Sequence, residues 1–362
     1  MSVVRSDTRE VVRVATLEAG GSFPLGDALP PGAAQFAGSA GAQAFFLDPR
    51  WLAIFRDALR HVPYLLVAET AGTVTGLLPL ALIDSWLFGR FLVSLPYLNQ
   101  GGVVARDTAS GRALLDAAVR LADRLDVRSL QLRHLRPSEH PSLTASLTHK
   151  VLMQLPLPGS TQQLWAQLRS KVRNQVRKSQ SHGFSVDWGG APLLEDFYAV
   201  FSQNMRDLGT PVFGRALFRS VLDQFPREAE LCVVRDGRRP IAAALLVHAP
   251  GVTDVPSASS LRAYNPTSSN MLMYWHLLCR AVERGQGTFD FGRSSVDSNT
   301  FRFKKQWGAV AVPTVWQSYV RRGSADELRL EGGRYRRLVN IWKRLPVGLT
   351  RLLGPAIVRG IP

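Results

Sequence analysis

Apolar and polar positions along the chain repeat the same order of elements twice. Residues 64–83 (YLLVAETAGTVTGLLPLALI) hold two β-rich runs on either side of a turn, and residues 230–249 (ELCVVRDGRRPIAAALLVHA) have the same layout. Runs of this kind around a glycine turn predict a β-hairpin. Gly72 and Gly237 take the corresponding turn positions, so the sequence predicts one hairpin in each half.

The repeat extends beyond the hairpins. Each hairpin is followed by a strand-like run that contains a tyrosine and an asparagine, RFLVSLPYLNQGG in the first half and SASSLRAYNPTSS in the second. The apolar spacing then changes to that of a helix over about residues 109–125 and 269–284, and a strand follows each helix, SLQLRHL or TFDFGRS. Repetition at this length predicts a duplicated domain, because the repeats of a solenoid are much shorter.

A long helix is predicted between the two halves, over residues 160–183. One stripe along it is apolar and consists of Leu164, Trp165, Leu168, Val172 and Val176. Arg169, Arg173 and Arg177 recur at four-residue intervals on another face. This face is either the solvated surface of a linker helix or a phosphate-facing ridge that borders a cleft between the domains.

Length and composition narrow the class of protein. A chain of 362 residues with 46% hydrophobic and 20% charged residues predicts a globular protein of two domains. We place these domains at residues 1–155 and 156–320, with a basic tail at residues 321–362. A net charge of +16 and a pI near 10.7 indicate an anionic partner such as phosphate groups, RNA or a membrane surface. The alternative is that a high arginine content is common to all proteins of the genome and says nothing about a partner.

Several classes of protein are not supported. The first residues are interrupted by charges and lack a signal core, and no apolar run reaches the roughly 18 residues of a membrane span, which predicts a cytoplasmic protein. There is no G-x-x-x-x-G-K-[ST] phosphate loop and no G-x-S-x-G nucleophile elbow. The seven histidines show no metal-ligand spacing, so no metal site is expected.

The densest candidate chemistry lies at residues 289–309, FDFGRSSVDSNTFRFKKQWGA. A strand ends in Asp290 and Arg293, a polar turn follows, and a cluster of three cations and three large rings comes next. Strand alternation places Phe289 and Phe291 on one face and Asp290 on the other. Asp290 is therefore either paired with an arginine or available as a general base.

A second polar cluster lies in MRDLGTPVF, residues 205–213, directly after the helical pattern EDFYAVFSQNM. Arg206 and Asp207 precede a turn that contains glycine and proline. These two side chains either contact a substrate or form a surface ion pair.

Four segments together carry a resemblance to a known family. They are RSKVRNQVRKSQ at 169–180, MRDLGTPVF at 205–213, SSLRAYNPTSSNMLMYW at 259–275 and FDFGRSS…NTFRFKKQWGA at 289–309. With the tandem order of elements, they resemble the FemAB family of peptidyltransferases, and most closely the FemAB-like proteins associated with bacterial exopolysaccharide and PEP-CTERM protein-sorting systems. The resemblance covers most of residues 45–320. It implies an α/β (α+β) fold of two tandem GNAT-like acyltransferase domains, each a mixed, mainly antiparallel sheet flanked by helices.

The resemblance also implies acyl or aminoacyl transfer to an amine of a glycan or peptide precursor of the cell envelope or of an exopolysaccharide. FemAB proteins take aminoacyl-tRNA as the donor, whereas GNAT enzymes take acyl-CoA, which a Q/R-x-x-G-x-G/A loop grips. Either donor would be a co-substrate here rather than a permanently bound cofactor. Residues 264–270 (YNPTSSN) replace that loop and contain no glycine. They still lead into a helix N-terminus, where Thr267, Ser268, Ser269 and Asn270 are candidates for binding the donor anion.

The resemblance assigns roles within the cluster at residues 289–309. Phe303 and Lys304 match a phenylalanine–lysine pair that engages the reactive end of the donor. Lys304 is the first candidate for stabilising an oxyanion, with Lys305 able to exchange roles with it, and a basic helix start or an RNA-phosphate contact is the competing interpretation. Asp290 and Arg293 complete the predicted catalytic set.

The predicted substrate contacts are Phe303, Lys305, Trp307, Arg206, Asp207, Tyr264, Asn265 and Asn99. Tyr97 and Asn99 end a strand in the first half, and Tyr264 and Asn265 end the equivalent strand in the second. The pair in the second half is expected to be the working one, because the other motifs surround it.

The tail from Arg321 onward carries ten basic and three acidic residues. Its stretch YRRLVNIWKRLPVGLTRLLGPAIV interleaves arginines with leucine, isoleucine and tryptophan, and Pro346 and Gly348 divide it into two amphipathic pieces. These pieces either dock on the second domain or lie on the inner surface of the membrane, where cationic amphipathic helices bind anionic lipid. A non-catalytic RNA-binding protein or a membrane-surface scaffold is therefore the alternative to an enzyme.

Overall fold

The computed structural model describes residues 13–18, 32–323 and 333–362. The strands of the first half are β1 (Arg13–Glu18), β2 (Val62–Thr70), β3 (Thr73–Ser85), β4 (Gly89–Val93), β5 (Val104–Ala105), β6 (Ser129–His134) and β7 (Ala145–Leu147). Its helices are α1 (Ala33–Ser39), α2 (Arg50–Leu59) and α3 (Thr108–Arg124).

The first half ends with β8 (Lys150–Pro156). The strands of the second half are β9 (Ser185–Gly189), β10 (Ala229–Asp236), β11 (Arg239–Ala249), β12 (Val252–Ser260), β13 (Thr288–Ser295), β14 (Val310–Pro313) and β15 (Val315–Val320). The helices are α4 (Thr161–Gln167), α5 (Ser170–Gln180), α6 (Leu194–Leu208), α7 (Arg215–Gln224), α8 (Ser269–Glu283) and α9 (Asn299–Gln306), and the tail forms α10 (Gly333–Trp342) and α11 (Val347–Val358).

The two predicted hairpins are confirmed. β2 pairs with β3, and β10 pairs with β11, in antiparallel register. Gly72 (φ +75°) and Gly237 (φ +56°) lie in the left-handed region at the turns, a conformation that glycine adopts without a steric penalty. The predicted helices that follow are α3 and α8, whose ends lie within one residue of the predicted bounds.

Each sheet combines antiparallel pairs with one parallel pair. β4 runs parallel to β6 in the first sheet, and β12 runs parallel to β13 in the second. The helix that connects each parallel pair packs on its own sheet, α3 on β2 and β3 and α8 on β10 and β11. The predicted fold class, a mixed α/β protein with two mainly antiparallel sheets flanked by helices, is confirmed.

The predicted single helix between the halves is wrong, because this segment forms two helices. Leu168 and Arg169 lie between α4 and α5 with an extended backbone (ψ 140° and 146°). The predicted apolar stripe is nevertheless buried, with at most 4% exposure at Leu164, Leu168, Val172 and Val176. The change of direction at Leu168 lets both helices bury these side chains in one core, which a helical period by itself does not reveal.

The two sheets exchange their last strands. β8 follows β7 along the chain but lies in the second sheet, between β13 and β14. β15 follows β14 but lies in the first sheet, between β6 and β7. Each half therefore supplies a strand to the sheet of the other. The division at residue 155 stays a prediction, and it falls inside β8.

An aromatic core also joins the halves. Phe45 and Trp51 of the first half pack on Phe225 of the second, with ring centroids 5.2 and 4.9 Å apart. Beside them, Arg50 Nη1 donates a hydrogen bond of 2.9 Å to the backbone oxygen of Gln224. Burial of large rings across this boundary fixes the position of one sheet relative to the other.

The described part of the tail docks on the rest of the protein. Arg351 Nε of α11 donates a hydrogen bond of 2.8 Å to Ser202 Oγ of α6. The hydroxyl of Tyr97, in the first half, donates to the backbone oxygen of Arg359 at 2.9 Å. Docking thus holds for residues 333–362 and involves both halves, whereas residues 324–332 lie outside the described part. Within the described ranges no helix is long and apolar enough to cross a membrane.

Candidate active site

The second sheet opens between β12 and β13. Their parallel pairing is limited to residues 252–254 against residues 288–290, and the strands diverge beyond them. Pro256 of β12 has no N–H to donate, and Gly292 of β13 (φ +75°) lies in a bulge where the pairing with β8 shifts register. The divergence leaves a cleft of about 500 Å³. We call it the splay cleft, and its lining residues are Asn99, Lys150, Val255, Pro256, Ala258, Tyr274, Phe291, Gly292, Arg293, Ser294, Ser295, Thr300 and Lys304.

Two hydrogen bonds fix the backbone of the bulge at Gly292. Its N–H donates to Asp290 Oδ1 at 2.7 Å, and its carbonyl oxygen accepts from Lys304 Nζ at 3.0 Å. A Cβ atom added here would lie 3.3 Å from Asn99 Nδ2, in a backbone conformation that side chains other than glycine rarely adopt. Glycine therefore lets a side chain from the first half reach the backbone of β13.

Lys304 is the buried cation of the splay cleft. It lies on α9, which begins at the cap Ser298, whose Oγ accepts from the N–H of Phe301 at 3.1 Å. Lys304 is 8% exposed, and its Nζ donates to the backbone oxygens of Gly292 and Arg293, so one of its three N–H groups stays available to a ligand. Burial lowers its pKa to about 8, against the pull of Asp290. Lys305 is exposed, with its Nζ 5.9 Å from the centroid of the Phe301 ring, so the structure distinguishes two lysines that the sequence left interchangeable.

Asp290 faces a second buried carboxyl group. Asp254 lies opposite it in the register of β12 and β13, and neither side chain is more than 8% exposed. Burial and the neighbouring carboxylate raise the pKa of Asp254 well above its usual range, which favours its protonated form. Burial raises the pKa of Asp290 too, but hydrogen bonds from Gln154 Nε2 (2.9 Å) and the Gly292 N–H, together with Lys304, oppose this.

The pairing of Asp290 with an arginine is wrong, since its partners are the Gln154 amide and the Gly292 N–H. The carboxylate of Asp290 is not among the groups that line the splay cleft. Asp290 thus holds the N–H of Gly292, whose carbonyl oxygen accepts from Lys304, and its catalytic role stays a prediction.

Arg293 contacts the first sheet. The exchanged strand β15 places the ring of Trp316 3.1 Å from Arg293 Cζ and 4.0 Å from Arg133 Cζ of β6. Trp316 Nε1 donates to the backbone oxygen of Asn99 at 3.3 Å. Asn99 and Arg293 line both the splay cleft and a neighbouring cleft of about 260 Å³ between the halves.

The other predicted residues differ in whether they lie beside the splay cleft. The ring of Phe303 makes an edge contact with Tyr274, with centroids 5.0 Å apart, beside the splay cleft. Trp307 is 2% exposed and belongs to the core of the second half. Arg206 and Asp207 form an ion pair of 2.7 Å, and Arg206 Nη1 donates to the backbone oxygen of Leu345 in the tail. Of the two alternatives for this pair, the structure shows the ion pair.

The expectation that Tyr264 and Asn265 are the working pair stays a prediction, and the structure places the asparagine of the first half in the splay cleft. Tyr264 donates to Asp236 Oδ2 at 3.0 Å, Asn265 is exposed, and neither lines the splay cleft, whereas Asn99 of the first half does. The predicted donor-anion residues lie where α8 begins, and Ser268 has φ +60° there. Thr267 Oγ1 donates to the backbone oxygen of Tyr264, and the role of this segment in donor binding stays a prediction.

The sequence did not identify several residues of the site, namely Asp254, Gln154, Tyr274, Arg133 and Trp316. Asp254 had a usable signal, since an acidic residue interrupts the strand VTDV two positions before a proline that ends regular pairing. Arg133 and Trp316 had none, because strand exchange brings them together.

The part of the chain that forms most of the splay cleft is similar to a known family of proteins. Residues 166–305, which include most of the splay cleft and Lys304, match the sequence profile of a family described as acetyltransferase (GNAT) domain. No curated protein gives a significant match. Residues 166–305 are therefore similar to a GNAT acetyltransferase domain, and the protein is an acyltransferase.

Solved structures share the fold at low sequence identity. The crystal structure of FemX is 14% identical, with 75% of this chain and 90% of that chain covered and a TM-score of 0.56. The C-terminal domain of a putative lysylphosphatidylglycerol synthetase from Agrobacterium fabrum is 12% identical, with 82% and 93% covered and a TM-score of 0.52. A tandem GNAT protein from the clavulanic acid biosynthesis pathway, solved without acetyl-CoA, is 14% identical, with 86% and 100% covered and a TM-score of 0.51.

Proposed function

We propose that this protein is an N-acyltransferase that moves an acyl group from acyl-CoA to an amine of a cell-envelope or exopolysaccharide precursor. The observation that carries the proposal is the splay cleft, which joins an unpaired strand edge to the buried ammonium of Lys304. The class of acceptor rests on the resemblance to FemAB-like proteins.

The edge of β12 supports binding of an extended donor. Residues 257–260 pair with β11 on one side, but the side that faces β13 has no strand partner. Unpaired backbone groups on a strand edge hydrogen-bond an added extended chain that carries amides. The amide-containing arm of CoA has this chemistry, and a thioester at its end would come to lie beside Lys304.

The residues of the splay cleft supply one requirement of acyl transfer, the stabilisation of the oxyanion. A neutral amine attacks the thioester carbon, the carbonyl oxygen gains negative charge, and the C–S bond then breaks to give an amide and a thiolate. The remaining N–H of Lys304 stabilises this oxyanion, and the thiolate accepts the proton that the amine loses. Among the described residues that line the splay cleft there is no carboxylate or imidazole, so the amine has to arrive deprotonated.

Aminoacyl-tRNA is the second candidate donor, and one surface favours it. Arg169, Lys171, Arg177 and Lys178 on or beside α5 are exposed in the structure. A row of cations of this kind binds the phosphates of RNA, with an affinity that falls steeply as salt increases.

Donor binding is tested by thermal denaturation with acetyl-CoA, longer acyl-CoAs, charged tRNA and deacylated tRNA. We expect acyl-CoA to stabilise the protein saturably, by about 2.7 kcal/mol at one hundred times its Kd. Ala258→Phe fills the splay cleft and should abolish this shift, whereas Ala216→Phe on the exposed face of α7 should preserve it. A shift with charged but not deacylated tRNA would select the second donor. Salt-sensitive binding of both tRNAs and of no acyl-CoA would favour the non-catalytic RNA-binding alternative.

Peripheral membrane contact through the tail is part of the same proposal. Leu338, Ile341 and Leu352 are 61%, 58% and 74% exposed, and Lys343 and Arg344 are exposed near them. Amphipathic helices that expose apolar and basic side chains bind anionic lipid. The full chain should co-sediment with anionic vesicles, and Leu338→Glu with Leu352→Glu should reduce this at least about tenfold, each buried leucine contributing on the order of 1.5–3 kcal/mol. Equal sedimentation of both proteins would contradict the proposal.

A further inference from the structure

Arg133 is a buried cation whose hydrogen-bond partners are all neutral. Its Nη1 donates to the backbone oxygens of Leu95 (3.3 Å) and Leu98 (2.8 Å), and its Nε and Nη2 donate to Gln131 Oε1 at 3.3 Å. The residue is 3% exposed. These contacts use four of the five N–H groups of the guanidinium and leave its charge without a counter-ion.

Arg293 adds a second cation at the same place. Its guanidinium lies over the ring of Trp316, as that of Arg133 does, and no protein hydrogen bond to it is present among the described residues. In the described ranges no carboxylate lies within ion-pair distance of either arginine. Burial, followed by repulsion from Arg293, lowers the pKa of Arg133 to about 9, and burial lowers the pKa of Arg293 to about 10.

Several other arginines that are only partly exposed have carboxylate partners. Arg235 pairs with Asp187 and Asp196, and Arg280 and Arg284 both pair with the buried Glu230. A buried cation without a counter-ion is unfavourable, and two side by side are more so. The Arg133–Arg293 pair differs from these described arginines because neither member has a carboxylate partner.

The pair lies where a second substrate would approach the donor. Arg293 and Asn99 line both the splay cleft and the cleft between the halves, so a molecule in the second cleft can reach the carbon held beside Lys304. The rest of the lining of the second cleft consists of Tyr97, Phe213, Trp316, Val358, Ile361 and Pro362. Its cations come from two sheets, whereas the strand edge assigned to the donor belongs to the second sheet alone.

We infer that the cleft between the halves binds an anionic group of the acceptor, a carboxylate or a phosphate, through Arg293 with Arg133 as the supporting charge. The acceptor is then an amine that carries such an anion near the amino group. The guanidinium of Arg293 can donate two parallel hydrogen bonds to one anion, and this geometry suits a carboxylate as well as a phosphate. This inference rests on the proposed acyl transfer and moves Arg293 from the catalytic set to acceptor binding.

The test uses the full chain and two probes, inorganic phosphate and acetate, in thermal denaturation at constant ionic strength set with chloride. We expect at least one probe to raise the Tm of the wild type saturably, and the more effective one identifies the class of anion. Arg293→Gln should lose this shift. Arg219→Gln, which removes an exposed arginine of α7, should keep it.

The Tm without probes gives a second readout. Arg293→Gln should match or exceed the wild type, because it removes a half-buried charge that has no carboxylate partner, whereas Arg235→Gln should lower the Tm by leaving two aspartates unpaired. A wild-type anion response in Arg293→Gln, or no response in the wild type, would overturn the inference.

Thermal denaturation with acyl-CoA distinguishes a wrong inference about the acceptor anion from a wrong proposal about acyl transfer. Arg293→Gln should retain the acyl-CoA shift of the wild type. If it loses that shift, the arginine serves the donor, so the inference fails while acyl transfer stands. An anion shift that depends on Arg293, together with no acyl-CoA shift in any variant, would leave the anion site and remove the proposed donor.

Discussion

Lys304→Met is expected to reduce acyl transfer by a factor of about 10²–10³, the usual cost of losing one donor to a developing oxyanion. Methionine keeps the length of the side chain and removes the charge. The fold should persist, because the lost hydrogen bonds to Gly292 and Arg293 are offset by removal of an ammonium that is desolvated. The measurement is release of CoA thiol from acyl-CoA with a panel of primary amines, accompanied by circular dichroism.

Lys305→Met is the matched control, since Lys305 is on the same helix and exposed. Its thiol release should stay within about twofold of the wild type, as surface substitutions remote from a site cost little. Wild-type turnover in Lys304→Met, or a large loss in Lys305→Met, would remove Lys304 from the chemistry.

Ending the chain after Pro313 is expected to abolish folding of the first sheet. This deletion removes β15, which lies between β6 and β7 and pairs with both. The loss leaves two strand edges unpaired and removes Trp316, which is 8% exposed and contacts two arginines. Unpaired backbone groups and a lost core aromatic cost several kcal/mol together, against a total stability of about 5–15 kcal/mol. The measurement is cooperative denaturation followed by circular dichroism and by size-exclusion chromatography.

A chain that ends after Gly323 is the control, because it keeps β15 and loses only the tail helices. We expect a lower Tm than that of the full chain, since α11 packs on α6, but a single cooperative transition. If the chain ending at residue 313 denatures like the one ending at residue 323, the exchanged strand does not hold the first sheet together.

Local sequence signals predicted the repeated elements well. The hairpins follow from glycine turns between β-rich runs, and α3 and α8 follow from helical spacing of their apolar residues. A cationic and aromatic cluster after a strand end marked residues 289–309, and the resemblance of Phe303 and Lys304 to the family's phenylalanine–lysine pair selected Lys304 within it. In each case the residues that carry the signal are close neighbours in the chain.

Features that depend on distant pairing were not predictable. β8 and β15 read as the last strands of their own halves, and nothing in their composition indicates that they change sheets. The Asp254–Asp290 pair depends on the register of a parallel pair, and the contact of Asn99 with Gly292 depends on how the halves pack. The break between α4 and α5 was missed because the apolar stripe is regular across it.

The most direct test of the central claim is the pH dependence of turnover with an acceptor that stays neutral throughout, such as a hydrazide. Burial disfavours the ammonium and lowers the pKa of Lys304 to about 8, so the charge is present below that pH and lost above it. If Lys304 stabilises the oxyanion as a cation, turnover falls as the pH rises through about 8, and Lys304→Met shows no such fall. A turnover that rises through the same range would mean that the neutral amine acts as a base, which contradicts the account.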